Sequence, residues 1–472
     1  MHRRLIPVVL VLQLLPSAAA SAQSAIQMPG PQLPRTSPFA GGIPSGTATT
    51  EPITLSIIQA ILRSLEHNLG LMLAEQDTAA AKADRWTALA GLLPSVSAGL
   101  TESRRKTNLE AFGFPLGPTF PKVVGPFNVF DARLFASQPI LDLDALNESR
   151  ASSHRIAASE HSYKHARSIV MLATANVYLQ ALAAQARAES VKAQLASAQA
   201  LHQQAIDLRQ NGLVAGLDVV RAEVQVSILQ QRATATANDS EKAKLQLARI
   251  VGLPIGQAFT TVDNVPEMSV RPMSVEEVLK EAYEKREDFL AALEDVRAAE
   301  SRRDAAAAAH LPSVRVLADW GAIGLTPGSS LPTFNVTGAL DVPIFDGGKR
   351  KGRLANADVE LRDRKARLED LRATVYYDVR TAFLDLEATR QQLDAAGRGR
   401  ALATQQLEQS RDRFAAGVAT NIEVVQAQEA VALATEQEIA ARYGFSVAKA
   451  LLAQATGSAE ETLMQFLKGS KP

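Results

Sequence analysis

Apolar residues follow two different spacings along this chain, and the two spacings alternate. Residues 54–92 carry apolar groups at helical intervals, and Pro94 is expected to end that helix. After Pro94, apolar and polar residues alternate one by one, which predicts a β-strand with one apolar and one polar face. The alternation resumes near Phe130, after a predicted loop over residues 108–127. We expect strands of about 9–11 residues, the length that a tilted strand needs to span a membrane.

Two very long helices follow the strands. Residues 143–210 contain neither proline nor glycine, which predicts one helix of about 100 Å at 1.5 Å per residue. Asp142 and Asp346 are expected to cap the long helices, and Pro139 and Pro343 are expected to end the strands before them. A seven-residue spacing typical of helices packed side by side is present in both, at Ile156, Tyr163, Val170, Val177, Ala184 and Val191, and at Leu361, Leu368, Val375, Ala382, Thr389 and Ala396.

The whole pattern occurs twice. Gly212 and Gly417 are each followed by a short small-residue tract and then by an acid, two valines and an alanine. The strand starts and the strand-to-helix joins recur in the same order, which indicates two tandem structural repeats. We place the repeats at residues 53–252 and 273–457, with a linker over 253–272.

The two ends of the chain fall outside the repeats. A basic start, an apolar run and the small residues Ala20-Ser21-Ala22 predict a signal peptide over 1–22. Residues 23–52 are rich in proline and glycine, which predicts a solvated, flexible tail, and residues 458–472 form a C-terminal tail. Beyond the signal peptide, no apolar stretch is expected to be long and apolar enough to resemble a membrane-spanning helix.

Composition argues against several classes of function. Lys+Arg and Asp+Glu balance at 50 each, so no nucleic-acid partner is expected. The absence of cysteine removes disulfides and thiolate metal sites. Asp346–Arg350 lacks the spacing of a phosphate-binding loop, and no acid completes a metal site around His161 and His165. The sequence therefore predicts no cofactor, no metal and no enzyme activity. Basic clusters at 104–106 and 349–353 are either contacts for anionic lipid or ordinary loop charges.

In the order and duplication of these motifs, the chain resembles the TolC-like outer-membrane efflux proteins. The resemblance rests on "LLPSV" from Leu92, on the joins "QPILD" and "VPIFDGGK", and on the two glycine turns. It implies a mainly α protein with membrane β: two tandem repeats of helix, two strands, long helix and helix, which trimerise into an α-helical barrel with a shared 12-stranded transmembrane β-barrel. It further implies a place in the outer membrane, with the helical barrel in the periplasm.

The resemblance also assigns roles to the glycine turns, as periplasmic tips of two helical hairpins. Glu423 takes the first acidic place of the family's gate, and Gln426 stands where a second acid is often found. A ring of three Glu423 carboxylates is expected to favour cations, and Asp218 with Arg221 is expected to join neighbouring tips by ion pairing. The alternative is a solvated helix end, where an exposed pair contributes at most about 1 kcal/mol. The predicted turn and adaptor-contact residues are Gly212, Leu213, Val214, Gly417, Val418 and Ala419.

The expected function is that of a passive exit duct in a tripartite export system. Its expected partners are two further copies of the chain, a periplasmic membrane-fusion adaptor, an inner-membrane transporter and outer-membrane lipid. Small molecules are the expected cargo, and a type I protein-secretion channel is the alternative within the class. Two other classes stay open, a periplasmic coiled-coil adaptor or scaffold and an exported enzyme. One departure from the family is Glu287, where proline is usual, and this is expected to affect a helix start.

Overall fold

The computed structural model describes residue 34 and residues 37–113, 117, 121–212, 214–262, 274–416 and 418–461. The predicted signal peptide lies outside this part of the chain. The first repeat contains β1 (Ile53–Leu55), α1 (Ile57–His67), α2 (Leu69–Ala90), β2 (Ser95–Asn108), β3 (Val123–Leu141), α3 (Leu143–Gln210) and α4 (Gly216–Val251). The remainder contains β4 (Phe259–Thr261), α5 (Val275–Lys285), α6 (Glu287–Ala308), β5 (Ser313–Gly324), β6 (Leu331–Asp341), α7 (Lys349–Ala415) and α8 (Asn421–Ala455).

The long helices are confirmed. α3 has 68 residues and α7 has 67, so each extends for about 100 Å. α3 packs against α2 and α6 in one half of its length and against α4 and α8 in the other. The predicted capping by Asp142 is also confirmed, since its side chain accepts the N–H of Ala145. The N-cap residue of α7 is Gly348, not the predicted Asp346. Asp346 lies two residues earlier, and its carboxylate accepts the N–H groups of Gly348 and Arg350.

The prediction of one continuous first helix was wrong, because each repeat divides it into two. In the first repeat the break is at Asn68, whose backbone is extended with ψ 126°. Its side chain accepts the N–H of Leu71 and donates to the carbonyl of Phe39 at 3.0 Å. In the second repeat the break is at Arg286, with ψ 117°. Neither break contains proline, and the prediction of a helix start near Glu287 was the one sign of a break in the sequence analysis.

Part of the predicted flexible tail is packed against the helices. Gly42 N–H donates to the carbonyl of Arg249 and Ile43 N–H to that of His67, each at 2.8 Å, and Ser45 N–H donates to Gly252. These acceptors lie at the C-terminal ends of α1 and α4, where helix carbonyls lack partners within the helix. Residues 39–45 are therefore held by the helix ends that they cover, an interaction that proline and glycine content does not reveal.

The four membrane-length strands form one antiparallel sheet in the order β2-β3-β5-β6. β2, β3 and β5 are longer than predicted, with 14, 19 and 12 residues, and β6 has the predicted length, with 11. β3 begins at Val123, within the residues that were expected to be loop, and pairs there with residues 105–108 of β2. Pro139 lies inside β3 instead of ending it, next to a register irregularity against β5, where its missing N–H is tolerated.

The main core lies where α1, α4 and α8 meet the middle of α3. Tyr178 is fully buried there, and its hydroxyl donates to the carbonyl of Leu55 at 2.7 Å. Among the described helices, α3 contains one 18-residue window that could cross a membrane by length and composition alone, and 61% of that window is buried within the chain. The expectation that no such helical stretch exists was therefore wrong. The apolar window is the buried part of a core helix.

Candidate functional site

The sheet has one strongly apolar face. Strand register places Ala98, Leu134, Trp320 and Phe334 side by side across the four strands. Rows on either side of this one add further exposed apolar residues, Val96, Leu100, Val336 and Leu340. An exposed apolar face this wide is unusual on a surface in water, and it fits the hydrocarbon interior of a membrane.

The opposite face of the sheet is mixed, with exposed Phe135, Leu317 and Leu331 among polar residues. It carries an arginine that spans three strands. Arg133 on β3 donates to Asp131, to Asp319 on β5 and to Thr333 on β6. Gly321 stands between Arg133 and Thr333, and a Cβ at this position would meet the Ala132 carbonyl oxygen at 2.4 Å. Glycine is therefore favoured at this position because the backbone of β3 approaches it closely beside Arg133.

The first tip, residues 211–215, joins α3 to α4. Gly212 has φ 73°, and its N–H donates to the carbonyl of Arg209 at 2.9 Å. A Cβ on Gly212 would meet nothing within 4 Å, so the backbone conformation, not lack of space, favours glycine. Val214 is half-buried, and Leu213 lies outside the described residues.

Asp218 and Arg221 face each other on the first turn of α4. Arg221 Nη1 is 3.5 Å from Asp218 Oδ1, and both side chains are partly exposed. Such a pair contributes at most about 1 kcal/mol. Asp218 also lies near the positive end of the helix dipole, which favours an acid there. Within one chain, the two residues satisfy each other.

The second tip, residues 416–420, joins α7 to α8. Val418 is exposed, and its N–H donates to the carbonyl of Arg413 at 3.0 Å. Ala419 is half-buried, and Gly417 lies outside the described residues. The described part of this turn therefore resembles the first tip, because each tip has one half-buried residue, Val214 in the first and Ala419 in the second.

Glu423 has a cationic neighbour that the sequence analysis did not identify. Its carboxylate oxygen is 3.6 Å from Arg413 Nε in the last turn of α7, and the side chains of both residues are well exposed. Gln426, one turn further along α8, is also exposed. An arginine thus partly balances the predicted gate acid, which reduces the negative field of each chain.

An apolar cluster joins the two tips. Leu201, Phe414 and Val424 are buried together, and Val214 and Ala419 pack against them. Two of the six predicted adaptor contacts therefore contribute to a contact between hairpins of the same chain. This contact couples the position of the first tip to that of the second.

The valine and alanine of the repeated tip motif serve packing. Val219 and Ala222 in the first hairpin and Val424 and Ala427 in the second are all buried. The second valine of the first motif, Val220, is exposed. In each copy the motif places small apolar residues against neighbouring helices and leaves its acid near solvent. The motif occurs twice because each of the two hairpins needs this packing at its tip.

Between the sheet and the tips, a buried ion cluster links the two halves of the second repeat. Arg286 Nε and Nη2 donate to both oxygens of Asp288, at 3.0 and 2.7 Å, and Nη1 donates to Asp378 on α7 at 2.9 Å. Burial alone would raise the pKa of Asp288, but the hydrogen bonds and charge of Arg286 outweigh it and hold this pKa below its usual range. Nearby, burial lowers the pKa of His165.

Glu287 affects more than the helix start. It is the first residue of α6, and its carboxylate lies 2.5 Å from Nδ1 of His161 on α3. Two turns along, Glu294 lies 2.7 Å from Nδ1 of His154. These two contacts join the first repeat to the second, so the residue that replaces the family's proline is part of the contact between repeats.

Sequence reasoning missed Arg413, Arg133 and the Arg286 cluster. For Arg413 a signal existed, because each tip glycine follows a helix whose last turn carries an arginine. For Arg133 and Arg286, the partners lie on elements that are distant in sequence. Only the pairing of those elements identifies them.

Comparisons with known proteins agree with this architecture. The family model for outer membrane efflux protein matches residues 60–253 and again residues 278–458. The pyoverdine export outer membrane protein OpmQ of Pseudomonas putida is 26% identical over 388 residues, 80% of each chain. The outer membrane protein TolC of Escherichia coli is 23% identical over 370 residues, 73% of each chain.

A solved structure shares the fold. The CmeC outer membrane channel of Campylobacter jejuni superposes with a TM-score of 0.72 at 20% identity, over 94% of this chain and 98% of that one. The repeated helix–strand–helix order, the amphipathic sheet and the double family match all agree with the resemblance seen in the motifs. This chain belongs to the outer membrane efflux protein family.

Proposed function

We propose that three copies of this chain form a passive duct across the outer membrane and periplasm. The observation that carries the proposal is the open sheet with one strongly apolar face and a second face that holds the Arg133 ion pairs. Its edge strands β2 and β6 have no further partner among the described residues. Unpaired strand edges are not stable in hydrocarbon, where closed barrels of at least about eight strands are found. Pooling strands from several copies closes the sheet, and the family resemblance implies three copies and 12 strands.

Exposed apolar stripes on the outer helices support the same assembly. Val220, Val224 and Ile228 follow each other on α4 at intervals of one helical turn, and all three are exposed. α7, at the other side of the chain, exposes Tyr377 and Leu384 two turns apart. In a closed ring each chain brings its α2 and α4 side against the α7 side of the next, so that exposed apolar residues on both sides become buried.

The tips are proposed as the gate and as the contact for a periplasmic adaptor that serves an inner-membrane transporter. Glu423 is the proposed acidic ring, weakened by Arg413, and Gln426, one helical turn farther from the tip, is a neutral position. Asp218 and Arg221 are proposed to face the neighbouring copy. Of the predicted adaptor contacts, the exposed Val418 is best placed to meet a partner, because it does not pack against the cluster between the tips.

We further propose small molecules as the cargo. Both curated relatives whose names mention a cargo are named for export of pyoverdine. On this proposal the duct carries out no chemistry of its own, and the energy comes from the inner-membrane partner. Deleting the gene and measuring retention of siderophores and dyes by the cells tests the cargo class.

Closure of the sheet between copies can be tested by crosslinking, because the native chain has no cysteine. Leu100→Cys on β2 is combined in turn with Phe334→Cys, Val336→Cys and Gly338→Cys on β6. A short bifunctional thiol reagent should yield dimers and trimers from one of these pairs, and no larger species. The control is Leu100→Cys with Ala132→Cys, which are register partners within one chain and should crosslink without joining copies.

The same material is then inserted into planar lipid. The proposal expects conductance from the crosslinked trimer and resistance of the protein to carbonate extraction. Exclusively monomeric products from all β2–β6 pairs, together with no conductance, would refute it. Extraction by carbonate would instead favour the periplasmic scaffold.

A further inference from the structure

The join between β6 and α7 exposes two large apolar residues to an unusual degree. Ile344 is 93% and Phe345 is 88% exposed. The apolar face of β6 carries Val336 and Leu340, and Val342 and Ile344 continue this spacing of two residues beyond the end of the strand. The apolar face of the sheet therefore extends past β6 into the join.

Two lysines without ion-pair partners follow these apolar residues. Lys349 and Lys351 lie in the first turn of α7, where both are exposed. Two other cations of this turn and the next are paired within the chain, Arg350 with Asp346 and Arg353 with Asp144. No ion pair within 4 Å is found for either lysine among the described residues, so the join carries two uncompensated positive charges.

The first repeat lacks this combination at the equivalent place. Ile140 and Leu141 are also exposed there, but Asp142 and Asp144 follow, and no cation occurs between residues 142 and 149. The same fold therefore forms without the lysines. The strand-to-helix join therefore does not require Lys349 and Lys351, which leaves these lysines available for binding.

We propose that residues 342–351 anchor each copy in the periplasmic leaflet of the outer membrane by binding an anionic phospholipid. Ile344 and Phe345 enter the region between acyl chains and headgroups, and Lys349 and Lys351 bind the phosphate. Apolar residues followed by lysines fit this interface, where buried apolar area and attraction to anionic lipid act together. The inference rests on the proposed function, because that function places the apolar face of the sheet in the bilayer. It adds the headgroup class and the residues that bind it.

A fluorescent reporter at the join tests the anchor. Phe345→Trp is made in a chain whose two tryptophans are replaced, Trp86→Phe and Trp320→Phe. The full mature chain is inserted into vesicles of phosphatidylcholine containing a small share of brominated phosphatidylglycerol, or of brominated phosphatidylcholine. Brominated phosphatidylglycerol should quench the reporter more strongly at the same share of lipid, with a relative affinity on the order of tenfold in its favour.

Removing the lysines should abolish the preference. With Lys349→Gln and Lys351→Gln, both brominated lipids should quench equally. The matched control is Lys192→Gln with Arg398→Gln, which removes two exposed cations about 70 Å along the long helices. This control should retain the full preference.

Three outcomes would overturn the anchor. The first is equal quenching by both lipids in the unmodified join. The second is no quenching at all, as expected if the next copy covers Phe345. The third is loss of the preference when inorganic phosphate is added, which indicates a simple anion site. Conductance of the same vesicles separates the two proposals, because a chain that conducts without the lipid preference refutes only the anchor.

Discussion

Removing the Asp288 carboxylate should loosen the joint between α5 and α6. The side chain of Arg286 is 10% exposed and that of Asp288 is 17% exposed, so the pair is largely withdrawn from water. Asp288→Ala leaves the guanidinium group with Asp378 alone, and that carboxylate is 46% exposed. Arg286 then keeps one of its three hydrogen bonds to carboxylate oxygens.

The expected cost is about 3 kcal/mol. Breaking a buried ion pair by removing one partner costs roughly 3–5 kcal/mol, and the remaining contact with Asp378 places this variant at the lower end. Asp378→Ala is the matched control, because it removes the other carboxylate from the same guanidinium group. An ion pair with a half-exposed partner contributes at most about 1 kcal/mol.

Amide hydrogen exchange measures the local effect without requiring the whole channel to unfold. In the Asp288→Ala variant, protection of peptides covering 286–290 and 375–382 should fall by roughly two orders of magnitude. In the Asp378→Ala variant it should fall about fivefold, and peptides covering 201–210 should be unchanged in both. Equal losses in the two variants would refute the assignment of most of the stabilisation to the buried partner.

Three further predictions concern pH, the glycines and the gate. Because the folded-state pKa of Asp288 lies below its ordinary value of about 3.9, its ion pair stabilises the fold above that pH and is lost as pH falls through the folded-state pKa. Thermal melts of the native chain and of Asp288→Ala should therefore converge only on strong acidification. Gly212→Ala should lower the free energy of unfolding by about 1 kcal/mol, from its left-handed backbone alone. Gly252→Ala should lower it clearly more, because its Cβ would also lie 2.8 Å from a backbone oxygen. Chemical denaturation of the two variants compares these losses. Glu423→Gln should lower cation over anion permeability and Arg413→Gln should raise it, as read from reversal potentials in a salt gradient, and shifts of the same sign would contradict the gate.

The sequence predicted the long elements well because their signals extend over many residues. A 68-residue helix without proline or glycine and strands with strict alternation leave few alternatives. The tip glycine Gly212 was also recognisable, since a left-handed residue between two helices requires it. Where many weak preferences agree, the local pattern is sufficient.

What the sequence did not reveal depends on contacts between distant segments. At the break at Asn68, residues 37–43 cover the end of α1, and Gly252 is required because the end of α4 approaches the Ile43 carbonyl oxygen. The second repeat has the same arrangement, with Gly457 against the backbone of Lys285 and Arg286. Both glycines were recognisable in the sequence because they recur in the two repeats, but the need for them comes from tertiary contacts. Each glycine lets the last helix of its repeat, α4 or α8, end against the break between the first two helices.

The two repeats have the same elements, yet equivalent residues have opposite environments. Leu172 and Leu179 on α3 are 8% and 2% exposed, whereas Tyr377 and Leu384, 205 positions later on α7, are 67% and 66% exposed. The sequence alone does not account for this difference, because all four are large apolar residues in the same helical register. The positions of the two helices account for the difference in exposure. α3 packs against α2 and α4 and also against α6 and α8, whereas α7 packs against α5, α6 and α8 only. If the duplicated unit packs in the same way each time it occurs, the free side of α7 is covered by the α2 and α4 side of another copy. The packing of α3 between helices of the same chain therefore predicts how α7 packs between its own chain and the next copy.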